Sequence, residues 1–186
     1  MKISGNEIKT GMIIEHNNDL WEVLKTQHVK PGKGGAFNQV EMKSINKHTK
    51  LNERFRSSDN VERAIVEETG YNFLYEDRGE FHFIDNKSFE QLALSKDMMG
   101  DKAKFLKEGL EVKIGIYNER PIKLDLPNQI ECKIETTDAV IKGQTAASSY
   151  KPAILENGIS VQVPPFVESG DLIIVDTRTI EYIKKI

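Results

Sequence analysis

The chain has 186 residues, of which 30% are charged and 38% are hydrophobic, and its formal net charge is −3. This composition predicts a soluble globular protein, because no apolar run approaches the length of a membrane span or the core of a signal peptide. The single cysteine, Cys132, cannot form an internal disulfide, so we expect an inert thiol and a cytoplasmic location.

The first third of the chain is predicted to form a small β barrel. Apolar and polar residues alternate in short runs that are separated by polar turns, and no long helical pattern interrupts them. The expected strands cover residues 11–15, 21–29, 37–45 and 51–55.

The segment Lys-Pro-Gly-Lys-Gly-Gly-Ala-Phe at residues 30–37 joins the second and third of these strands. Pro31 fixes its own φ and favours an extended conformation in the residue before it. Glycines permit positive φ and carry no side chain. The segment therefore predicts a slender finger that carries the ammonium group of Lys33 into a narrow, negatively charged place. Its glycines are Gly32, Gly34 and Gly35.

Two other interpretations of the finger are open at this point. A Gly-Lys-Gly-Gly run at the tip of a hairpin is often only a solvated turn. A phosphate-binding loop is disfavoured, because the Walker pattern requires Ser or Thr after Gly-Lys and then a helix, whereas Gly34 follows Lys33 and a strand pattern follows the loop.

Positive charge gathers around the finger. Residues 1–64 carry 11 basic and 8 acidic residues (net +3), residues 65–128 carry 9 and 13 (net −4), and residues 129–186 carry 6 and 8 (net −2). This asymmetry favours a phosphate-rich partner that is engaged by the N-terminal third, although an ordinary mixed surface would give the same counts. The basic residues expected to contact the phosphates of such a partner are Lys30, Lys43, Arg54 and Arg56.

The second third is predicted to contain a hairpin of residues 71–75 and 81–85, in which aromatic residues recur at period two. Exposed aromatics on a small barrel can stack on bases, but we expect these to fill the core, because a barrel this small needs them inside. Ser88 has capping-box spacing to Gln91 and predicts a short helix through about Leu94. A helical turn at 101–106, a strand at 110–116 and an edge strand or extended connection at 122–126 complete this third.

The last third is predicted to contain strands at residues 130–136, 159–163, 172–175 and 180–183, with a loop of small residues at 142–151. The chain thus divides into three β modules of about sixty residues, which should pack on one another because each is small. The proposed modules are residues 1–64, 65–128 and 129–186.

No catalytic or metal-binding pattern is present. The histidines are scattered without ligand spacing, one cysteine gives no zinc site, and no Gly-x-Ser-x-Gly motif occurs. We therefore expect a protein that is not an enzyme and that has no metal, no cofactor and no membrane partner.

Several motifs in order along the chain resemble those of bacterial translation elongation factor P. The segment at 30–37 looks like the conserved tip of that family. Lys-Pro-Ala-Ile-Leu-Glu-Asn-Gly at 151–158 and Val-Gln-Val-Pro-Pro-Phe at 161–166 are similar to its C-terminal signature. Gly-Asp at 170–171, Val-Asp-Thr-Arg-Thr at 175–179 and Glu-Tyr at 181–182 continue the similarity, which therefore spans the chain.

The resemblance implies an all-β, L-shaped molecule that mimics tRNA. It would have an N-terminal SH3-like barrel of the KOW type, followed by two OB-folds. It implies a monomer that binds the ribosome, touching both subunits, between the peptidyl-tRNA and exit sites, and relieves stalling at consecutive prolines.

The resemblance also assigns site residues. Lys33 would reach the acceptor end of the peptidyl-tRNA, and in many members this lysine is extended by a modifying enzyme. The C-terminal loop and tail would contribute further contacts, through Gly143, Thr145, Lys151, Arg178 and Tyr182.

Three departures from the family pattern leave parts of this assignment open. The loop usually reads Gly-Asp-Thr, whereas here Gln144 stands between Gly143 and Thr145. Gly35 occupies a position where well-known lysylated members have Gln, so the modification of Lys33 is open. The tail Tyr182-Ile183-Lys184-Lys185 keeps the tyrosine of the family but has Lys where Arg is common. A general single-stranded-RNA-binding OB protein and a nucleotide-dependent enzyme are the alternatives to a translation factor.

Overall fold

A computed structural model of the chain describes residues 1–139 and 149–186, and these are mostly β-strand. Three curled sheets succeed one another along the sequence. The prediction of an all-β fold is confirmed. No helix in the described residues is long and apolar enough to cross a membrane.

The first sheet has six strands in the order β1-β6-β2-β3-β4-β5. A short 3₁₀ turn, Gly5–Glu7, follows its first strand. The strands are β1 Lys2–Ser4, β2 Ile13–His16, β3 Asp19–Val29, β4 Phe37–Ser44, β5 Lys50–Arg56 and β6 Asn60–Ala64.

The second and third sheets have five strands each, in the orders β11-β10-β7-β8-β9 and β14-β13-β12-β15-β16. The strands of the second are β7 Glu67–Asp77, β8 Glu80–Asp85, β9 Gln91–Ser95, β10 Glu111–Tyr117 and β11 Arg120–Asp125. Between β9 and β10 lie a one-turn helix, α1 Lys96–Met99, and a 3₁₀ helix, Gly100–Phe105. The strands of the third are β12 Gln129–Thr137, β13 Lys151–Leu155, β14 Ser160–Val163, β15 Leu172–Asp176 and β16 Glu181–Lys185.

The chain forms two compact units. One consists of Met1–Thr69 with Gly115–Lys123, and the other of Gly70–Ile114 with Leu124–Ile186. The division into modules 1–64, 65–128 and 129–186 stays a prediction.

Alternating burial along the strands builds the cores. Asn38, Val40 and Met42 on β4 point inward, while the residues between them are half exposed. Cys132 is buried in the C-terminal core, where burial raises the pKa of its thiol. Four aromatic side chains of the predicted hairpin are buried as expected, namely Tyr71, Phe73, Phe81 and Phe83. The same expectation is wrong for Tyr75, which is 51% exposed, because the register of β7 against β8 shifts between Phe73 and Tyr75.

The predicted helix from Ser88 to about Leu94 is wrong. Residues 91–95 form β9, which pairs with β8 and buries Leu94 opposite Phe81. The Ser88 hydroxyl accepts a hydrogen bond from the backbone of Glu90 at 3.3 Å, so the apparent cap belongs to a turn. The helical turn expected at 101–106 is confirmed as the 3₁₀ helix Gly100–Phe105.

One hairpin loop recurs in all three sheets, at residues 44–48, 85–89 and 176–180. In each loop the backbone N–H of the fifth residue donates to the carbonyl of the first, at 3.0, 3.0 and 2.8 Å respectively. The fifth residue is left-handed each time, with φ of 58°, 61° and 58°. These residues are His48, Phe89 and Ile180.

Candidate functional site

The finger predicted at 30–37 is the loop between the two longest strands of the first sheet. The pairing of β3 with β4 continues to Val29 opposite Phe37, so seven residues form the loop. Residues 30–35 are exposed, and Lys33 makes no hydrogen bond or ion pair with any residue that the structure describes. A strand rather than a helix follows the loop, which argues against a phosphate-binding loop of the Walker type.

The base of the finger is fixed by hydrogen bonds. The backbone N–H and the hydroxyl of Ser57 both donate to the carbonyl of Ala36, at 3.0 and 2.9 Å. The buried amide of Asn38 donates to the carbonyls of Gly5 and Ile8, at 3.1 and 3.3 Å. Sequence reasoning missed Asn38, although a polar residue in phase with the buried Val40 was a readable signal.

The finger's glycines differ in what the fold requires of them. Only Gly34 has a positive φ, of 116°. At Gly32 and Gly35 the φ is not positive, and a Cβ atom would meet nothing within 4 Å. The chain's own structure therefore accepts a side chain at both positions. Only contact with a binding partner would require glycine there.

Three of the four predicted phosphate-binding residues lie at the base of the finger. Arg54 and Arg56 lie on β5, where Arg56 pairs opposite Phe37. The guanidinium carbon of Arg54 is 4.3 Å from the centroid of the Phe37 ring, and this cation–π contact holds it beside the finger. Lys30 is exposed within the loop itself. Sequence reasoning did not foresee the role of Phe37, because the pairing of β4 with β5 sets it.

Lys43 is not brought to the finger. It lies six residues from Phe37 along β4, which corresponds to about 20 Å of extended strand. It pairs opposite Lys50, whose ammonium forms a 3.3 Å ion pair with Glu41. Lys43 therefore belongs to a separate, partly neutralised patch.

The predicted C-terminal site residues have contacts within their own sheet. Lys151 begins β13 and donates to the carbonyl of Asp138. Tyr182 is half buried against the C-terminal core. Arg178 forms a bidentate pair with Asp176, with its Nε and Nη2 at 3.1 and 2.6 Å from the two carboxylate oxygens. Two further predicted residues, Gly143 and Thr145, lie outside the described residues.

The Asp176–Arg178 pair gives a testable pH dependence. Side-chain and backbone hydrogen bonds from Arg178 lower the pKa of Asp176 from 3.8 to about 2. Because the pKa of Asp176 is lower in the folded state than in the unfolded state, its pairing with Arg178 stabilises the fold above pH 3.8. This contribution to the free energy of unfolding is lost as the pH falls through 2. We expect Asp176→Asn to have a lower Tm than the parent protein at pH 7 and the same Tm below pH 2. Melting curves of both proteins at each pH measure this difference. A Tm difference that does not change with pH would contradict this assignment.

The groups that the finger presents are suited to binding a ligand. In the described part of the chain no group of three or more His, Cys, Asp or Glu side chains is placed to hold a metal ion. What the finger presents is one free ammonium on a narrow loop, with two guanidinium groups and Lys30 behind it. Such an arrangement suits phosphate and ribose oxygens in a confined place.

Comparisons with known proteins cover the whole chain. Three family models match in order: the elongation factor P KOW-like domain at residues 4–61, its OB domain at 66–124 and its C-terminal domain at 130–185. The chain is 62% identical over 186 residues to elongation factor P of Pelagibacter ubique strain HTCC1062, with complete coverage of both chains. It is 53% identical over 185 residues to elongation factor P of Brucella abortus strain S19, again with complete coverage.

A solved structure supports the fold independently. The chain resembles a structure described as eukaryotic translation initiation factor 5A from Methanococcus jannaschii, with a TM-score of 0.57 and 21% identity. The match covers 68% of this chain and 92% of that one. The predicted order of a KOW-type barrel followed by OB-fold modules is confirmed.

Proposed function

Because the chain belongs to the elongation factor P family and is therefore a translation elongation factor, we propose that it binds the ribosome beside the peptidyl-tRNA. In this proposal it touches both subunits and stimulates peptide-bond formation at consecutive prolines, and it acts as a cytoplasmic monomer. It uses no cofactor and performs no bond chemistry of its own.

The exposed finger carries this proposal. Lys33 has no partner among the described residues, whereas Lys151 and Arg178 are each bonded to a neighbour in their own sheet. An extended loop of glycines and one ammonium fits a cleft between RNA strands that a bulkier segment would not enter. Lys30, Arg54 and Arg56 at its base would contact phosphates near the acceptor end of the tRNA. The C-terminal loop at 143–151 and the tail, through Tyr182, would make further contacts with RNA.

The mechanism that fits this geometry is positioning. Prolyl substrates react slowly, because the pyrrolidine ring restricts the geometry of attack. A finger that holds the end of the peptidyl-tRNA in a reactive pose lowers the entropic part of the barrier. The base of the finger supports such a role, since Ser57, Asn38 and Phe37 fix where the loop leaves the barrel.

Lys33 is also accessible to a lysine-modifying enzyme. An extension of its side chain would lengthen the reach of the finger without changing its width. An intact mass of the purified protein, followed by sequencing of the tip peptide, shows whether such a group is present.

The proposal is tested by reconstituted translation of a reporter that contains Pro-Pro-Pro. Full-length product should increase when the protein is added, whereas a reporter without consecutive prolines should be unaffected. The test uses protein whose tip mass has been determined, both in the form that carries a group on Lys33 and in the form that lacks it. Failure of every such species to increase the Pro-Pro-Pro product would overturn the proposal.

A second prediction concerns the width of the finger. Gly32→Ala and Gly35→Ala should leave the Tm unchanged or slightly raised, because alanine reduces the entropy of the unfolded chain by an equivalent of about 0.4–1 kcal/mol where φ allows it. Gly32→Ala should nonetheless reduce rescue of the Pro-Pro-Pro reporter, since the added methyl group widens the loop, whereas Gly35→Ala should retain rescue, because well-known members of the family carry Gln at that position. Rescue by Gly32→Ala at the parental level would show that the finger does not enter a tight cleft at that position.

A further inference from the structure

The sequence contains one pair of consecutive prolines, Pro164 and Pro165, directly after the last residue of β14. The chain has six prolines, and all the others stand singly. A protein that is proposed to act at consecutive prolines therefore carries such a site in its own sequence.

The fold accounts for the first proline of the pair better than for the second. Pro164 is buried, as are Val163 and Val167 on either side of the turn. The backbone N–H of Val167 donates to the carbonyl of Pro164 at 3.1 Å, so residues 164–167 form a turn with Pro165 at its second position. Proline is common at that position, but most residues adopt the same φ there. Since Pro165 is only partly buried, the fold does not require proline at this position.

The pair creates a difficult step in the synthesis of the chain. When Pro165 is added, its pyrrolidine nitrogen attacks the ester carbonyl that joins Pro164 to the peptidyl-tRNA. A C–N bond forms, the C–O bond of the ester breaks, and the proton of the attacking nitrogen ends on the ribose oxygen that leaves. Because a ring restricts both reacting residues, a reactive geometry is reached rarely. The next bond, to Phe166, again has a prolyl donor.

We infer that the protein is a client of its own activity: the ribosome that synthesises it pauses at Pro164-Pro165, and the finished protein relieves this pause. The inference rests on the proposed function at consecutive prolines. The reacting groups are those of the Pro-Pro-Pro reporter, so the finger lowers the barrier in the same way, by positioning the peptidyl-tRNA. The rate of synthesis then rises with the amount of active protein, which is positive feedback.

The place of the pair in the fold leaves a paused chain incomplete. When Pro164 is the last residue added, β15 and β16 have not been made. β12 then lacks the partner strand β15, with which it pairs over five residues. Ile173 and Val175, which are fully buried in the C-terminal core, are also missing. The third sheet therefore cannot close until the ribosome has passed the pair, and each paused ribosome holds an unfinished molecule.

Reconstituted translation of the protein's own messenger RNA, without and with purified protein, tests the inference. The added protein is the form that gives the largest increase with the Pro-Pro-Pro reporter, and toeprinting locates the ribosomes by codon. Without added protein we expect a pause with the codon of Pro164 or Pro165 in the peptidyl site. Its signal should fall about threefold or more when the protein is added, because positioning lowers the barrier. The single proline Pro152 is the internal control on the same RNA, and its codon should not respond.

The matched variant is Pro165→Ala, encoded in the same messenger RNA. It removes the pair and keeps the buried Pro164. Its pause should disappear, and without added protein it should give more full-length chain than the parent RNA. The chain is counted on a denaturing gel, so the yield does not depend on folding. The purified variant should fold with a slightly lower Tm, because alanine leaves the unfolded chain more conformations than proline does.

The Pro-Pro-Pro reporter, translated in parallel, separates this inference from the proposed function. If the added protein relieves neither the reporter nor its own RNA, the proposed function is overturned and the inference with it. If the reporter is relieved but the parent RNA shows no pause at the pair, or a pause that persists, only the inference is overturned. A pause that remains in Pro165→Ala would also overturn it, since the pair would then not be its cause.

Discussion

Replacing Lys33 with alanine is expected to abolish rescue of the Pro-Pro-Pro reporter and to leave the fold unchanged. The side chain is exposed and makes no hydrogen bond or ion pair with any described residue, so its removal should change the free energy of unfolding by less than about 0.5 kcal/mol. Its removal takes away the one charged group at the end of the finger. The measurements are the yield of full-length reporter and the urea midpoint of the same preparation.

Two lysines serve as controls for this result. Lys47→Ala removes an exposed ammonium from the turn at the opposite end of β4 and should retain full rescue. Lys30→Ala removes a charge at the base of the finger and should reduce rescue partially, because Arg54 and Arg56 remain beside it. Full rescue by Lys33→Ala would show that the mechanism does not use the ammonium group. A loss of rescue in Lys47→Ala equal to that in Lys33→Ala would show only that rescue depends on the charge of the protein in general.

The strands were largely predictable because alternation records burial directly. On β4, inward Val40 and Met42 alternate with half-exposed residues, as the sequence pattern indicated. The helix expected after Ser88 failed for a non-local reason. The capping-box spacing is a local signal, whereas the pairing of β9 with β8, which buries Leu94 beside Phe81, depends on contacts between strands.

The finger was predictable because proline and glycine act locally, and its chemistry follows from one residue. The surroundings of the finger were not predictable in the same way. The contact of Arg54 with Phe37 depends on the register of β4 with β5, and the same register places Lys43 far from the tip. Likewise, the bidentate pair that engages Arg178 with Asp176 depends on the shape of a turn. Clustered positive charge in a sequence indicates a negatively charged partner. The register of the strands decides which of those charges face the partner.

The second large effect is expected at Phe105, the last residue of the 3₁₀ helix that leads into β10. Its side chain is 3% exposed and lies in one hydrophobic cluster with Ile130, Val163 and Val175 of the C-terminal sheet. Nearby, the ammonium of Lys107 donates to the carbonyl of Glu131 at 3.0 Å and pairs with the carboxylate of Glu156. The segment between β9 and β10 therefore contributes to the core of the sheet that follows it.

Phe105→Ala should destabilise the protein by about 3–5 kcal/mol, because it removes a buried ring and leaves a cavity in a packed cluster. A loss of this size is a large fraction of the stability of a typical domain, and in urea it should lower the midpoint by at least about 1 M. The matched control is Phe89→Ala, the same change at a ring that is 72% exposed, which should cost less than about 0.5 kcal/mol. If the two variants unfolded at similar midpoints, Phe105 would not support the C-terminal core. If Phe105→Ala instead produced a separate early transition, its cluster would unfold independently of the rest of the chain.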